Sequence, residues 1–303
     1  MTNLNSLPLP VTSLSQAQQK SLVNIVRRAA KTEILPRFRN LSAGQISTKS
    51  GPHDLVTEAD TEAEKMIARG ILRMFPNAMV IGEEAAHAHP HLRDDAAKAE
   101  LAFIIDPVDG TWNFAHGLPV FGVILAATRF GRPIFGMLYD ALMDDWITAD
   151  SETGATMFGA IGPHRRMRTA KGGALGDLSG YLHFYLMDKD VQPKLAETLP
   201  DFGRTGALRC SCHEYRMLAQ GSVDFCLSGV LNPWDHAAGV LICERAGGHV
   251  RMLDGRAYDI SITDGYLLAA ANEEVWTTVA DRLSFLKDSP SELDTPAQPL
   301  PTP

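Results

Sequence analysis

The sequence LAFIIDPVDGT, residues 101–111, is the stretch from which the fold can be worked out. Its apolar first half predicts a buried strand over Leu101–Ile105 that ends at a carboxylate. Pro107 has no amide N–H to donate, so the strand cannot continue its ladder of hydrogen bonds normally. Asp109 and Gly110 then form a turn pair, because glycine permits a positive φ and the close approach of a ligand.

The turn after this strand is a candidate metal site. Asp106 and Asp109 place two carboxylates three residues apart, a spacing that can bind two hard cations with Asp106 bridging them. The carbonyl of Val108 lies between them and is a further hard oxygen ligand. If a helical turn follows, the amides near Gly110 and Thr111 would point at an anion. A turn with a purely structural role is the alternative.

Other segments also place acids at predicted strand ends or helix starts. Thr57 and Asp60 have the spacing of a helix cap and its third residue. Glu83 follows the apolar run Ala78–Ile81, and Asp235 lies in the first turn of a predicted helix. Taken singly, these acids are explained by a capped helix, a solvated turn and a favourable helix dipole. Taken together they suit phosphate-ester hydrolysis, in which two magnesium ions about 3.5–4 Å apart activate water and stabilise the leaving oxygen.

The rest of the chain alternates between helix and strand patterns. A capping box at Ser13 and Gln16 predicts the start of a first helix, and a second should run from near Thr57 to the residue before Pro76. Further strands are expected over residues 121–128, 134–139, 181–186 and 224–228, and further helices over residues 232–247 and 273–286. A turn at Gly131 makes the first two of these strands an antiparallel pair. The pattern indicates a mixed α/β chain.

We expect this chain to form two lobes between two irregular ends. Residues 12–150 would form an N-terminal α+β lobe with most metal ligands. Residues 151–287 would form a C-terminal α/β lobe with Asp235 and the substrate-recognition segment. Residues 1–11 show little pattern and predict a flexible N-terminus, and the proline-rich residues 288–303 predict a disordered tail.

Composition restricts the class of protein. The 303 residues carry a formal charge of −8, which repels phosphate backbones and makes a nucleic-acid partner unlikely. No apolar run reaches the roughly 18 residues that span a bilayer, and the start lacks the pattern of a secretory signal, so no membrane association is expected. The four cysteines form no CxxC pair and indicate neither a disulfide framework nor a thiolate zinc site. We therefore expect a cytoplasmic protein.

Alternating histidines form a second possible metal motif. His87, His89 and His91 could bind a transition metal if they lay on a strand. Their place between predicted elements favours a loop exposed to solvent instead.

Four motifs in order resemble the inositol monophosphatase family. They are GPHDLVTEAD, IGEE, DPVDGTWNF and WDHAAG, and the resemblance covers roughly residues 15–286. It implies the layered αβαβα sandwich of the inositol monophosphatase/fructose-1,6-bisphosphatase type, usually a homodimer. It also implies a lithium-sensitive, magnesium-dependent phosphatase with two or three ions per site, in which an activated water attacks directly and no phosphoenzyme forms.

The resemblance also implies roles for individual residues. Glu83, Asp106 and the Val108 carbonyl match ligands of a first metal, and Asp106, Asp109 and Asp235 match ligands of a second. Glu83 also matches a residue beside a third, weaker magnesium and its waters.

The water and the phosphate have their own matches in the family. Thr111 matches the threonine that orients the attacking water, with Asp60 as its acidic partner. The amides of Gly110 and Thr111, beside Asp109, match those that hold the phosphate. Lys49 matches a lysine on a mobile loop near the metals.

The sequence departs from the family in its substrate-recognition half. Glu214 occupies a position that is alanine in inositol phosphatases, and Ser228 occupies the position of an acid that grips inositol hydroxyls. Both remain candidate substrate-binding residues. The leading prediction is hydrolysis of a small phosphorylated polyol such as inositol monophosphate. The alternatives are histidinol phosphate, a sugar bisphosphate or a 3′-phosphoadenosine nucleotide as substrate, or a non-catalytic regulatory binding module on this fold.

Overall fold

The computed structural model describes residues 13–51 and 54–288. The predicted flexible N-terminus, residues 1–11, and all of the predicted tail except Asp288 lie outside these residues. In chain order, the elements before residue 170 are α1 (Gln16–Ala29), β1 (Ile46–Gly51), β2 (Asp54–Thr57), α2 (Glu58–Met74), β3 (Met79–Gly82), α3 (Glu83–Ala88), α4 (Leu92–Lys98), β4 (Ala102–Asp109), α5 (Thr111–Ala115), β5 (Gly122–Arg129), β6 (Arg132–Asp140), β7 (Asp145–Asp150), β8 (Thr156–Gly159) and β9 (Arg165–Arg166).

The first sheet contains the strand predicted from the opening motif. Its strand order is β3-β4-β5-β6-β7-β8-β9, and only β3 and β4 pair in parallel among these neighbours. The predicted antiparallel pair is confirmed as β5 and β6, with a positive φ at Gly131 in the turn. Because β9 belongs to this sheet, the sheet extends beyond residue 150. The division of the chain into two lobes stays a prediction.

A second, smaller sheet forms from the later part of the chain. Its elements, with the helices around them, are β10 (Ser179–Leu182), α6 (Gln192–Thr198), β11 (Arg204–Gly206), α7 (Ser211–Ala219), β12 (Phe225–Ser228), α8 (Pro233–Arg245), β13 (His249–Met252), β14 (Leu267–Ala270) and α9 (Glu273–Arg282). The strand order is β11-β10-β12-β14-β13, parallel around β10 and antiparallel around β14.

Helices and sheets alternate in layers because successive strand residues point to opposite faces. One face of the first sheet, with Phe103 and Ile105 of β4, packs on α1 and α2. Its other face, with Ile104, packs on α7 and α8, and the same core includes Val250 of the second sheet. The far side of the second sheet packs on α9. This arrangement confirms the expected αβαβα sandwich.

Several predicted boundaries were wrong by a few residues. The capping box that opens α1 is formed by Ser15 and Gln18, two residues after the predicted one. The strand predicted to reach residue 186 ends at Leu182, and a 3-10 turn, Phe184–Leu186, follows it. The last helix ends at Arg282. By contrast, the cap of α2 at Thr57 and Asp60 is confirmed.

Helix α8 lies very close to the first sheet. A Cβ atom added to Gly136 of β6 would lie 2.8 Å from the carbonyl oxygen of Ala238 and 3.0 Å from its Cα. The backbones of strand and helix therefore touch without an intervening side chain. This contact allows α8 to pack closely on the first sheet. Among the described residues, no helix combines the length and apolar character needed to cross a bilayer.

We expect Gly136→Ala to lower the free energy of unfolding by about 1–3 kcal/mol, because the added methyl group overpacks this contact. Denaturant unfolding followed by circular dichroism measures the change. Gly206→Ala is the matched control, since a Cβ at Gly206 meets no atom within 4 Å. The control should be as stable as the wild type or slightly more stable. Equal stability of Gly136→Ala and the wild type would contradict the close approach of α8.

Candidate functional site

The end of β4 is irregular in the way that its proline predicts. The register between β4 and β5 shifts between Asp106 and Asp109, and the amide of Val108 donates to Asp106 Oδ1 over 3.1 Å. Gly110 follows in the left-handed conformation, with φ 87° and ψ 35°. A Cβ there would lie 2.9 Å from the Val120 carbonyl oxygen, so glycine is required for both conformation and space. The bulge brings both carboxylates to one side of the strand end.

Three carboxylates converge at this point. Oxygen atoms of Asp106, Asp109 and Asp235 all lie within 4.8 Å of one another, although Asp235 comes from the first turn of α8. Asp106 and Asp109 are buried, and Asp235 is half-buried. The structure therefore brings together three of the predicted metal ligands from distant parts of the sequence.

The electrostatics of this cluster favour a bound cation. Burial, followed by the charges of nearby acids, raises the pKa of Asp106 and of Asp235 well above the usual range. Burial also raises the pKa of Asp109 to about 6, although hydrogen bonds to it oppose the change. Carboxylates packed this closely are stabilised by a hard divalent cation, which prefers oxygen ligands. The donor set therefore fits magnesium.

Asp109 is held by the start of α7. Its Oδ1 accepts a hydrogen bond from the amide of Ser211 over 3.1 Å, and its Oδ2 accepts one from the amide of Cys212 over 2.5 Å. The Cys210 thiol lies 3.0 Å from Oδ2 and donates to it. Cys210 and Cys212 are buried and have free thiols.

Glu83 lies beside the cluster but has a cationic partner. Lys49 Nζ lies 2.7 Å from Glu83 Oε1 and 2.7 Å from Glu84 Oε1, and the lysine side chain is only 5% exposed. Burial opposes the charge of this lysine, but the two glutamates outweigh it and raise the pKa of Lys49. The charge of Glu83 also raises the pKa of Asp106. The role of Glu83 as a metal ligand and catalytic residue stays a prediction.

Thr111 and Asp60 form the predicted pair. Thr111 Oγ1 lies 3.1 Å from Asp60 Oδ1 and 3.0 Å from the Val108 carbonyl oxygen. Asp60 is fully buried, and its Oδ2 accepts hydrogen bonds from the Thr57 amide at 2.9 Å and hydroxyl at 2.5 Å. Burial raises the pKa of Asp60 to about 7, a change that the Thr57 hydroxyl opposes and the charge of Glu83 increases.

One residue that the sequence reasoning missed supports this arrangement. Glu64 on α2 accepts hydrogen bonds from the amides of Glu84 and Ala85 at 2.8 Å and 3.0 Å, and so holds the start of α3. Burial raises the pKa of Glu64 to about 7. A signal was available, because Glu64 lies four residues after Asp60 on the buried stripe of an amphipathic helix.

Two of the predicted substrate-binding residues, Glu214 on α7 and Ser228 on β12, come from the later part of the chain. Glu214 is 3% exposed and accepts a hydrogen bond from the amide of Leu208 at 2.7 Å. His183 Nε2 lies 2.8 Å from Glu214 Oε2. Ser228 ends β12, and its hydroxyl donates to the Val230 carbonyl over 3.2 Å. Direct binding of substrate by Glu214, Ser228, Gly110 or Thr111 stays a prediction.

The alternating histidines lie outside this cluster. His87 is in the last turn of α3, and His89 and His91 are exposed between α3 and α4. In the described residues, the cluster able to hold a metal consists of Asp106, Asp109 and Asp235.

Comparison with known proteins gives the class to which this fold and site belong. The sequence profile of the inositol monophosphatase family matches residues 10–285. The chain belongs to this family, and it is a phosphoric monoester hydrolase.

Named relatives show the breadth of the family. A fructose-1,6-bisphosphatase/inositol-1-monophosphatase of Thermotoga maritima is 31% identical over 70% of this chain and 76% of its own. The Nus factor SuhB of Escherichia coli is 30% identical over 88% of this chain and 98% of its own. A histidinol-phosphatase of Chlorobaculum parvum is 31% identical over 72% of this chain and 78% of its own. A solved structure of a Thermotoga maritima IMPase, 25% identical, superimposes with a TM-score of 0.73 over 89% of this chain and 100% of that one.

The raised pKa of Asp60 predicts a pH dependence of stability in the metal-free protein. The folded protein holds this proton up to about pH 7, whereas the unfolded chain releases it near pH 4. Stability contributed by the protonated acid is therefore lost as pH rises from about 4 through about 7. Asp60→Asn resembles the protonated acid and removes that loss.

With a chelator present, we expect the unfolding temperature of Asp60→Asn to rise relative to the wild type as pH increases from about 5 to about 8. Differential scanning calorimetry measures the two transitions at each pH. Asp281→Asn, an exposed change on α9, is the control and should show a constant difference. A constant difference for Asp60→Asn as well would mean that Asp60 is ionised across this range.

Proposed function

We propose that this protein is a magnesium-dependent phosphate monoesterase that acts on a small phosphorylated polyol, such as inositol monophosphate. The observation that supports it most directly is the convergence of Asp106, Asp109 and Asp235 within 4.8 Å in a buried setting. These three residues would hold magnesium, with Glu83 and the Val108 carbonyl as further ligands and two or three ions per site.

Bound magnesium would make water nucleophilic at neutral pH and stabilise charge on the phosphoryl oxygens. The residues of the chain would then orient the reactants. The Thr111 hydroxyl has one proton, and its two neighbouring acceptors are Asp60 Oδ1 and the Val108 carbonyl oxygen. Whichever of these two oxygens accepts the hydrogen bond from the hydroxyl, Thr111 Oγ1 keeps its lone pairs and can accept a hydrogen bond from water. A water that donates to Thr111 has its own lone pair free to attack phosphorus.

The phosphate would be bound beside this water. Gly110 is the left-handed residue and Thr111 follows it at the start of α5, and we propose that their two amides donate to the phosphoryl oxygens. Attack by water forms one P–O bond, and the bond to the alcohol breaks, so inorganic phosphate and the free alcohol leave. No step requires a covalent phosphoenzyme.

A second substrate class is supported by the relatives. The names of similar proteins include a histidinol-phosphatase and a fructose-1,6-bisphosphatase at 31% identity, so histidinol phosphate and sugar bisphosphates stay candidates, as do 3′-phosphoadenosine nucleotides. The acids at the site count against a purely regulatory binding module. A cytoplasmic location, a homodimer, lithium sensitivity and the absence of a nucleic-acid partner stay predictions.

A substrate panel tests the proposal. Purified protein with magnesium would be assayed for phosphate release from inositol monophosphate, histidinol phosphate, fructose 1,6-bisphosphate, a 3′-phosphoadenosine nucleotide and an aryl phosphate. The highest kcat/KM should be found for the polyol monophosphate, and chelation should abolish every activity. Magnesium-independent hydrolysis, or none with any ester, would contradict the proposed function.

Asp106→Asn should lower magnesium-dependent kcat by several orders of magnitude, because it removes the carboxylate that would bridge the cations. In a chelator the variant should be at least as stable as the wild type, since a neutral amide relieves the repulsion around Asp106. Phosphate release and thermal unfolding measure the two effects, with Asp281→Asn as the control. Near-normal activity would exclude a bridging role for Asp106.

Thr111→Ala should lower kcat by roughly 10²–10⁴-fold, the usual effect of losing a group that positions a transferred proton. Magnesium affinity should change little, because the three clustered carboxylates remain. Thr111→Ser is the matched control and should recover most of the activity, as it restores the hydroxyl. Loss of magnesium binding with normal kcat at saturating metal would place Thr111 in a different role.

A further inference from the structure

His183 and Glu214 form a buried pair that the proposed reaction does not use. His183 follows the last residue of β10, and Glu214 lies in the first turn of α7. The imidazole Nε2 lies 3.0 Å from Glu214 Oε1 and 2.8 Å from Oε2. The side chains are 10% and 4% exposed. Two separate segments of the chain therefore meet through one histidine and one carboxylate.

Both carboxylate oxygens of Glu214 already face donors of this chain, and the side chain is only 4% exposed. Oε1 accepts from the Leu208 amide at 2.7 Å, and both oxygens face His183 Nε2. A substrate group would have to displace one of these donors to reach Glu214. Since the acceptor is buried and already satisfied, such a displacement would leave a donor unpaired and cost free energy.

The other ring nitrogen of His183, Nδ1, differs from Nε2 in its hydrogen bonding. Nδ1 makes no hydrogen bond to any residue in the described part of the chain, while Nε2 is directed at Glu214. The ring is close enough to the clustered acids for their charge to affect it. Burial lowers the pKa of His183, but Glu214 and, farther away, Asp235 and Asp109 outweigh burial and raise it. Through Glu214, His183 contacts the same turn of α7 whose Ser211 and Cys212 amides hold Asp109.

A role in packing alone is a poor explanation for this pair. Removing a glutamate and a histidine from water costs more than burying apolar side chains of similar volume, and replacing a buried pair by such side chains is often neutral or stabilising. The pair has a further effect, on the orientation of the imidazole ring. A carboxylate on Nε2 determines the orientation of the ring and so the direction of Nδ1.

We infer that His183 is a specificity-determining residue, whose Nδ1 forms a hydrogen bond with a hydroxyl group of the leaving alcohol while Glu214 positions the ring. A hydroxyl can donate to Nδ1 or accept from Nδ1–H, so the contact serves a polyol in either protonation state of the imidazole. This inference rests on the proposed phosphatase function. It gives Glu214 a positioning role in place of the direct contact predicted from the sequence.

The experiment uses two variants that each keep one ring nitrogen. The amide nitrogen of glutamine reaches the position of histidine Nε2, and that of asparagine reaches the position of Nδ1. His183→Gln therefore keeps the donor to Glu214 and loses Nδ1, whereas His183→Asn does the reverse. The two substrates are inositol monophosphate and cyclohexyl phosphate, which has the same ring without hydroxyl groups.

We expect the wild type to prefer inositol monophosphate in kcat/KM. His183→Gln should remain folded and reduce this preference tenfold or more, which is about 1.4 kcal/mol, through a loss on inositol monophosphate alone. His183→Asn should keep more of the preference and unfold more easily, because it leaves Glu214 buried without its partner. His249→Phe is the control, since that ring packs on Trp276 at the edge strand β13 and should leave the preference unchanged.

Several outcomes would overturn the inference. A His183→Gln variant with the wild-type preference would show that Nδ1 contacts no substrate group. Equal losses on both substrates would make the pair a support for the metal site or the fold. A wild type that hydrolyses both esters equally would exclude hydroxyl recognition and leave the phosphatase function standing. A wild type that hydrolyses neither would overturn the proposed function itself.

Discussion

The rest of the structure depends on the free energy needed to ionise several acids that lie within a few ångströms of one another in a buried space. Different neighbours stabilise the charge of each acid. Asp109 accepts two backbone amides and a thiol, Asp60 accepts threonine hydroxyls and an amide, and Glu83 pairs with a buried lysine. Asp106 and Asp235 have fewer donors, and burial together with the neighbouring acids raises their pKa values well above the usual range. These two positions are therefore the ones where a cation would contribute most.

The fold keeps these acids together in spite of their repulsion. Asp106 and Asp109 are held by β4, which lies beside the edge strand β3 of the first sheet, whereas Asp235 arrives on a helix from the later part of the chain. Gly136 of the same sheet lets the backbone of that helix approach closely. Hydrophobic burial on both faces of the sheet opposes the repulsion.

Much of the site was predictable because its chemistry is local in sequence. The bulge near the end of β4 follows from Pro107, and the cap of α2 follows from the spacing of Thr57 and Asp60. Contacts between distant segments were not predictable in this way. Nothing near Glu214 in the sequence indicates that its partner is His183, and a regular strand pattern concealed the end of β10 at Leu182. The start of α1 was misplaced because neighbouring serines offer two possible caps.

The first turn of α7 carries two features at once. Its amides at Ser211 and Cys212 hold Asp109, and its side chain at Glu214 holds His183. During divergence, a mutation that moves this turn to suit a new alcohol would also disturb a residue needed for phosphate chemistry. Adaptation to other substrates should therefore proceed more readily through the segment after β10. This segment carries His183, which contacts Glu214, and it holds none of the clustered acids. In this fold the freedom to evolve specificity is unequally divided between two neighbouring segments.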